Sequence, residues 1–254
     1  MPFTFAHPAI ALLFQQKRKH LVSYTGLIVG SMLPDFEYFI RMNLQSKWFH
    51  SQWGIWMIDL PLGILLCFLF HRLVKPVAYA NLPLFLKSRM RPFMKLDGNY
   101  SFSSKGLILI VSLLIGIYSH VVWDSFTHET GYFVRVFPFL ISEMELLGFT
   151  VPIFKMLQHG STLIGGILII NFIFKLPPEQ LSRSPIQWSY WIGIVIIVII
   201  ILIVRFFGDS TGLKIGNLIV SSIGAFFLSI LIVSAAFCLL QNKHAKTMQK
   251  TDLK

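Results

Sequence analysis

Residues 190–204 read YWIGIVIIVIIILIV, a stretch without a single charge. A second run, residues 218–237, reads LIVSSIGAFFLSILIVSAAF and is equally uncharged. Each approaches the roughly 20 apolar residues that carry a helix across the hydrocarbon core of a bilayer. Working outward, further apolar runs cover about 55–73, 106–126 and 161–174, the last of them short. Two weaker segments, 3–15 and 21–39, contain polar residues but are apolar enough to lie in a membrane beside other helices. The expected fold is all-α, a polytopic transmembrane helical bundle of about six to seven membrane helices. Its first helix is expected to be short or re-entrant, because residues 3–15 rise only about 20 Å as a helix. Residues 1–175 are expected to form a helical membrane core, and 176–254 two additional transmembrane helices with a basic tail.

Composition agrees with this reading. Hydrophobic residues make up 55% of the 254 and charged residues 13%, against about a quarter charged in an ordinary soluble domain. The net charge of +11 is therefore read as basic loops facing anionic headgroups, with no nucleic-acid partner. Cys67 and Cys238 both lie in apolar runs, so neither a disulfide framework nor a thiolate metal site is implied. The N-terminal stretch is not read as a signal peptide, since its basic cluster follows its apolar part. If the spans alternate, sixteen of the 22 Lys and Arg fall on one side and six on the other. The positive-inside rule puts the sixteen, and the C-terminal tail, in the cytoplasm. Lys17, Arg18, Lys19 and the loop from Arg72 to Lys105 anchor that side.

Ionisable residues inside membrane segments are costly and are functional candidates by default. Along the chain these are His7, Asp35, Glu37, His50, Asp59, His120, Asp124, His128 and His159. The topology was counted from Lys and Arg alone, yet it gathers most of these residues toward the non-cytoplasmic leaflet. The sharpest stretch is residues 119–131, SHVVWDSFTHETG. His120, Asp124 and His128 are four residues apart, which stacks them on one helix face over about 12 Å. Two ions roughly 3.5–4 Å apart, bridged by Asp124, would fit that length better than one. Imidazole with carboxylate suits Zn, with Mn or Fe as alternatives. The competing reading of such residues is a hydrogen-bonded packing motif between spans, and for an isolated His159 at a helix start that reading is the natural one. Asp59, two residues before Pro61, is either a partner that orients a ligand histidine or a group that satisfies backbone freed by the proline. In LPDFEYF, Asp35 is the preferred ligand, while Glu37 is a base, a helix-end charge or a solvated side chain.

MPFTFAHPA (1–9), GSMLPDFEYF (30–39), SHVVWDSFTH (119–128) and QHGSTLIG (158–165) resemble an uncharacterised bacterial membrane family, domain of unknown function 4184. A more distant likeness is to bacterial inner-membrane metal-dependent hydrolases, which combine an N-terminal His, an LPD-type aspartate and later His motifs. The order His7, Asp35, His50, His120, Asp124, His128, His159 further resembles the zinc-dependent phospholipase C and zinc nuclease superfamily. That resemblance implies these seven as metal ligands, with Asp124 bridging two ions. Four residues after His159 stands Leu163 where that superfamily carries an acid, which favours one or two ions over three.

The function expected is a metal-dependent hydrolase of a lipid phosphoester or pyrophosphate in the bacterial inner membrane, acting near the outer leaflet. The metal would acidify water and clamp a developing anionic oxygen. Asp35, Asp124 or Glu129 would accept the proton, and Arg41, Lys47, Arg135 or Lys155 would steer the phosphate. Membrane lipid is the expected environment and candidate substrate. The apolar loop 129–149 is read as lying along the interface. The alternatives are a metal- or proton-binding transporter and a non-catalytic membrane scaffold.

Overall fold

Apolar runs bounded by proline, glycine and polar loops fold as helices in the computed structural model, which describes residues 3–14, 21–45, 48–94, 104–146, 148–181, 185–207 and 214–251. The topology anchors Lys17, Arg18, Lys19, Lys47, Lys95, Arg183 and Lys254 lie outside the described residues, as do the side chains of Lys105, Lys243, Lys246 and Lys250. The chain opens with a 3₁₀ segment, Thr4–Phe14. Then follow α1 (Tyr24–Met32), a 3₁₀ turn (Leu33–Asp35), α2 (Phe36–Arg41), α3 (Gln52–Ala80), α4 (Leu84–Met94), α5 (Ser104–Thr127) and α6 (Tyr132–Val136). A two-stranded antiparallel hairpin, β1 (Glu143–Leu146) and β2 (Phe149–Pro152), leads into α7 (Ile153–Lys175), α8 (Trp188–Phe206) and α9 (Ile215–Thr251).

Among the described residues, five helical stretches are long and apolar enough to cross a membrane: Gln52–Ala80, Gly106–Val136, Ile153–Lys175, Trp188–Phe206 and Ile215–Gln241. Six to seven were expected. The first two candidates fall short for visible reasons. Thr4–Phe14 contains Pro8 and is wound as a 3₁₀ helix, and the 21–39 region is interrupted at Pro34 by the 3₁₀ turn. The run expected at 161–174 instead begins at Ile153, immediately after Pro152, and becomes a full 23-residue helix. Its polar first turns had hidden that start. Exposed residues such as Leu163, Ile164 and Ile167 on α7 and Ile199, Ile203 and Val204 on α8 present an apolar surface that lipid, not water, accommodates.

The proline in WMIDLPLG acts through a widened turn. Residues Ile55–Asp59 are π-helical, and the Leu60 N–H bonds back to Ile55 O. Asp59 is fully buried in that turn. Pro61 has no N–H to give and its ring crowds the preceding turn; a π-turn placed just before it relieves the crowding. The same device recurs at Phe70–Val74, ahead of Pro76.

The chain divides into two compact units. The first comprises Met1–Phe36, Lys47–Cys67 and Asn99–Leu176. The second comprises Glu37–Ser46, Phe68–Gly98 and Pro177–Lys254, so it takes more than the two terminal helices expected from 176 onward. Within the second unit, Val77, Tyr190, Ile194 and Val233 form a buried core. The Tyr190 hydroxyl lies 3.0 Å from Ser234 Oγ, and Trp191 Nε1 donates to Asn81 O at 2.9 Å.

In the first unit, α1 packs against α5 through small residues. Ser112, Gly116, His120, Asp124 and His128 recur every four residues and so share one face. At the start of this row Gly116 lies directly against α1: a Cβ there would come within 2.6 Å of Leu27 O and Ser31 N. Gly30 answers it, since a Cβ there would collide with the Leu113 carbonyl. The small-xxx-small pairs Gly26/Gly30 and Ser112/Gly116 thus allow backbone-to-backbone approach, the usual device for packing membrane helices. Leu33, Ile55, Cys67, Leu109, Leu113 and Ile117 fill the adjoining core. Gly116→Ala is expected to destabilise the protein by about 1–3 kcal/mol through overpacking. Gly166→Ala, where nothing lies within 4 Å, should be neutral or stabilise by up to about 1 kcal/mol. Thermal unfolding of both variants in detergent checks the contrast.

Candidate metal centre

The close approach of α1 and α5 delivers two of the candidate ligands. His120 follows Gly116 by one turn on α5, and its Nδ1 lies 2.7 Å from Ser31 O at the end of α1. An N–H at Nδ1 donating to that carbonyl leaves the Nε2 lone pair free. That nitrogen faces Asp124 Oδ2 at 3.3 Å and Asp35 Oδ1 at 3.6 Å. Asp35 is carried into place by the 3₁₀ turn that Pro34 opens. Its other oxygen, Oδ2, accepts a short hydrogen bond from Thr4 Oγ1. Asp35, His120 and Asp124 are all buried.

The N-terminal segment supplies a further wall. Phe3 N donates to Thr162 Oγ1 at 2.9 Å, and Gly165 on α7 lies against Ala6, with 3.0 Å left for a Cβ. So docked, His7 stacks on His120 with ring centroids 3.9 Å apart and planes at 22°. His7 Nε2 points at Asp124 Oδ1 from 3.7 Å. His50, from the loop before α3, approaches Asp124 Oδ2 at 3.9 Å. His128 stands just past the end of α5, its Nδ1 3.0 Å from the Asp124 carbonyl and 3.7 Å from Asp124 Oδ2.

One carboxylate therefore has four histidines around it, with Oδ1 turned to His7 and Oδ2 to the other three. Neither Asp124 oxygen has a hydrogen-bond partner, and the same holds for His7 Nε2, His120 Nε2 and Asp35 Oδ1. Buried polar atoms left in this state are expensive. Their mutual contacts are His–Asp ion pairs at 3.3–3.9 Å, longer than a well-formed hydrogen bond. They suit a cation. Two ligands at about 2.0–2.2 Å on a tetrahedral ion stand roughly 3.3–3.6 Å apart, close to the spacings found here. Asp35, His50, His120 and Asp124 each offer a ligand atom, all within 4.8 Å of one another, and this set can hold a metal ion. His7 and His128 border it through Asp124.

Burial is graded across the cluster. The side chains of His120, Asp35, His7 and Asp124 are 0–8% exposed, whereas those of His50 and His128 are 30% and 28% exposed. The cluster opens at the His50–His128 edge. Trp48 and Trp53, both exposed, flank His50 in sequence, and a surface depression of about 420 Å³ is lined by Gln52, Trp53, Trp56 and Met57.

Not every candidate is brought in. His159 is exposed on the second turn of α7 and is not in the ligand set. The QHGSTLIG stretch serves packing: Thr162 and Gly165 hold the N-terminal segment, and Ser161 Oγ accepts from Trp123 Nε1 at 3.1 Å. Glu37 is buried and belongs to the second unit, where its Oε1 pairs with Arg41 Nε at 2.8 Å. That contact makes it a structural charge and occupies Arg41. Glu129, Arg135 and Lys155 are exposed, and Lys47 lies outside the described residues. Sequence reasoning missed Thr4 and Ser31, which orient Asp35 and His120. Both stand inside the motifs already singled out, TFAHPA and GSMLPD, but a hydroxyl and a backbone carbonyl carry no signal of their own.

The chain belongs to the family described as Domain of unknown function (DUF4184), whose model matches residues 1–235. No protein of curated function and no solved structure matches it. All of the residues gathered here fall within the matched span.

Protein purified gently in detergent without chelator should carry stoichiometric divalent metal by elemental analysis. His120→Ala and Asp124→Ala should lose it, and His159→Ala should keep it. Thr4→Val should weaken metal affinity about 10–100-fold, as expected when a group that orients a ligand is removed.

Proposed function

We propose that the protein is a membrane-embedded metal-dependent hydrolase acting on a lipid phosphoester or pyrophosphate, with its site near the non-cytoplasmic interface of a bacterial inner membrane. The observation that carries the reading is the Asp124 carboxylate, buried and without hydrogen bonds, ringed by four histidines and facing Asp35 across His120. The oxygen and imidazole donors favour Zn, with Mn or Fe as alternatives and one or two ions.

A divalent ion held by these residues supplies a Lewis acid and brings the pKa of a water molecule to near 7. The residues themselves do the rest. Asp35 and Asp124 would hold the ion through their buried oxygens, and Thr4 and Ser31 hold Asp35 and His120 in one orientation. The two oxygens of Asp124 point to different histidines, so the carboxylate would be able to serve one ion or two. Glu129, exposed one residue beyond His128 and outside the ligand set, is assigned to accept a proton at the open edge. Arg135 and Lys155 are exposed in the same unit and are assigned to attract the phosphate.

An amphipathic substrate is supported by the surroundings of the opening. Trp48, Trp53 and Trp56 are exposed close to His50, and exposed tryptophans mark the membrane–water boundary. The distribution of Lys and Arg supports a cytoplasmic C-terminus and an outer-leaflet position for the site.

The test is hydrolysis in proteoliposomes loaded with Zn or Mn, against a panel of phospholipids and isoprenyl phosphates. Release of phosphate or a phosphorylated headgroup is expected from the wild type and from His159→Ala. It should fall to background in Asp124→Ala. A wild type that carries metal stoichiometrically yet hydrolyses nothing in the panel would overturn the hydrolase reading while leaving the metal centre standing.

A further inference from the structure

An all-α reading has no place for the one hairpin among the described residues. Its sequence and pairing are unusually regular. Strands β1 and β2 pair Glu143 with Pro152, Met144 with Val151, Glu145 with Thr150 and Leu146 with Phe149. Residues directly opposite one another share a face, and faces alternate along each strand. One face of the hairpin is therefore Met144, Leu146, Phe149 and Val151. The other is Glu143, Glu145 and Thr150, with Pro152 at its base. The strand residues are exposed apart from the half-buried Val151 and Pro152 at the end of β2, and Met144, Leu146 and Phe149 are 50%, 48% and 71% exposed.

The hairpin is firmly mounted. Gly148 takes a φ of 81° at the turn, a conformation open to glycine. At the base, Ile153 N donates to Ser142 O at 3.0 Å. Beneath it Val134, Leu140 and Phe154 form a buried cluster against which Phe126 and Ile153 pack. Phe126 precedes His128 by two residues, so the hairpin's base is fixed at the His128 end of α5. β2 runs without a linker into α7, one of the five membrane-length helices.

We infer that this hairpin is a membrane-interface anchor, with its Met144, Leu146, Phe149 and Val151 face lying on the acyl-chain boundary of the bilayer and its Glu143 and Glu145 face turned to water. Three observations choose lipid as the occupant. The hairpin is tied by chain continuity to the end of a membrane-length helix, so it lies where the bilayer surface is. The helix that follows it directly, α7, itself exposes apolar residues such as Leu157, Leu163 and Ile164. The hairpin's charges are confined to the face opposite its apolar one, the division an interfacial element needs. Of the exposed aromatics before it, Tyr132 is of a type that interfacial belts use, and Phe137 and Phe139 add apolar surface. The inference rests on the membrane-embedded fold and not on hydrolysis.

Nitroxide labels on single cysteines introduced at positions 143, 144, 145, 146, 149, 150 and 151 test it in proteoliposomes, with the background labelling of wild type subtracted. Accessibility to oxygen, which concentrates in lipid, is compared with accessibility to a water-soluble nickel chelate. The oxygen-to-nickel ratio should be several-fold higher at 144, 146, 149 and 151 than at 143, 145 and 150. Each labelled variant is first checked for an unchanged melting temperature in detergent, so that misfolded samples are not scored. Equal nickel accessibility on both faces would overturn the anchor. So would dipolar broadening between labels on the apolar face, which would make a second copy of the chain its occupant. Neither result touches the metal measurements.

Discussion

A carboxylate without hydrogen bonds in an apolar bundle must be met by positive charge, and Asp124 imposes that requirement on everything around it. Its oxygens are buried, and an isolated buried anion costs many kcal/mol unless it is paired, coordinated or neutralised. Four separate segments bring imidazoles to it: the N-terminal 3₁₀ segment, the loop before α3, α5 itself and the turn that follows α5. Asp35 arrives from a fifth and faces the same His120. Without positive charge two carboxylates would face one imidazole, a cost that a cation held among these segments would remove. The centre is in this sense also a fastening for the first unit.

The geometry that permits it is set lower on the same helix face. Ser112 and Gly116 bring α5 against α1, and one turn further the row changes from small residues to His120 and Asp124. Only because the backbones already touch at Gly30 and Gly116 can His120 reach the Ser31 carbonyl. Packing and chemistry are consecutive stretches of one four-residue repeat, and this explains why the tightest helix contact in the first unit lies beside its most polar cluster.

Much of this was legible in the chain. Uncharged runs such as 190–204 have one physical solution, a helix in lipid, and the five clearest apolar runs became the five membrane-length helices. His120, Asp124 and His128 were legible because a helix converts four-residue spacing into a shared face. The hidden parts have identifiable causes. His159 shares the residue type of a ligand, but nothing in local sequence says whether its helix turns it inward. Thr4 and Ser31 act through a hydroxyl and a carbonyl that most positions could offer. The hairpin escaped because four-residue strands fall below the length at which alternation separates from a helical pattern, although EMEL and FTVP do alternate.

The burial gradient across the centre narrows what can use it. His7 and His120 stack and are buried, whereas His50 and His128 are partly exposed, so among the described residues the edge between the last two offers an approach to an incoming group. That edge is bordered by tryptophans on one side, and the aromatic segment leading to the hairpin is fixed near His128 on the other. A small hydrophilic ester would gain nothing from such surroundings. A molecule with a long apolar body and an anionic head would keep its body in the bilayer and present the head to the cluster. It would lose little solvation on the way, because the head starts at the same depth. On the proposed function, the interface would thus act as the first part of the binding site, with substrate choice resting on depth and amphipathicity as much as on contacts to the head.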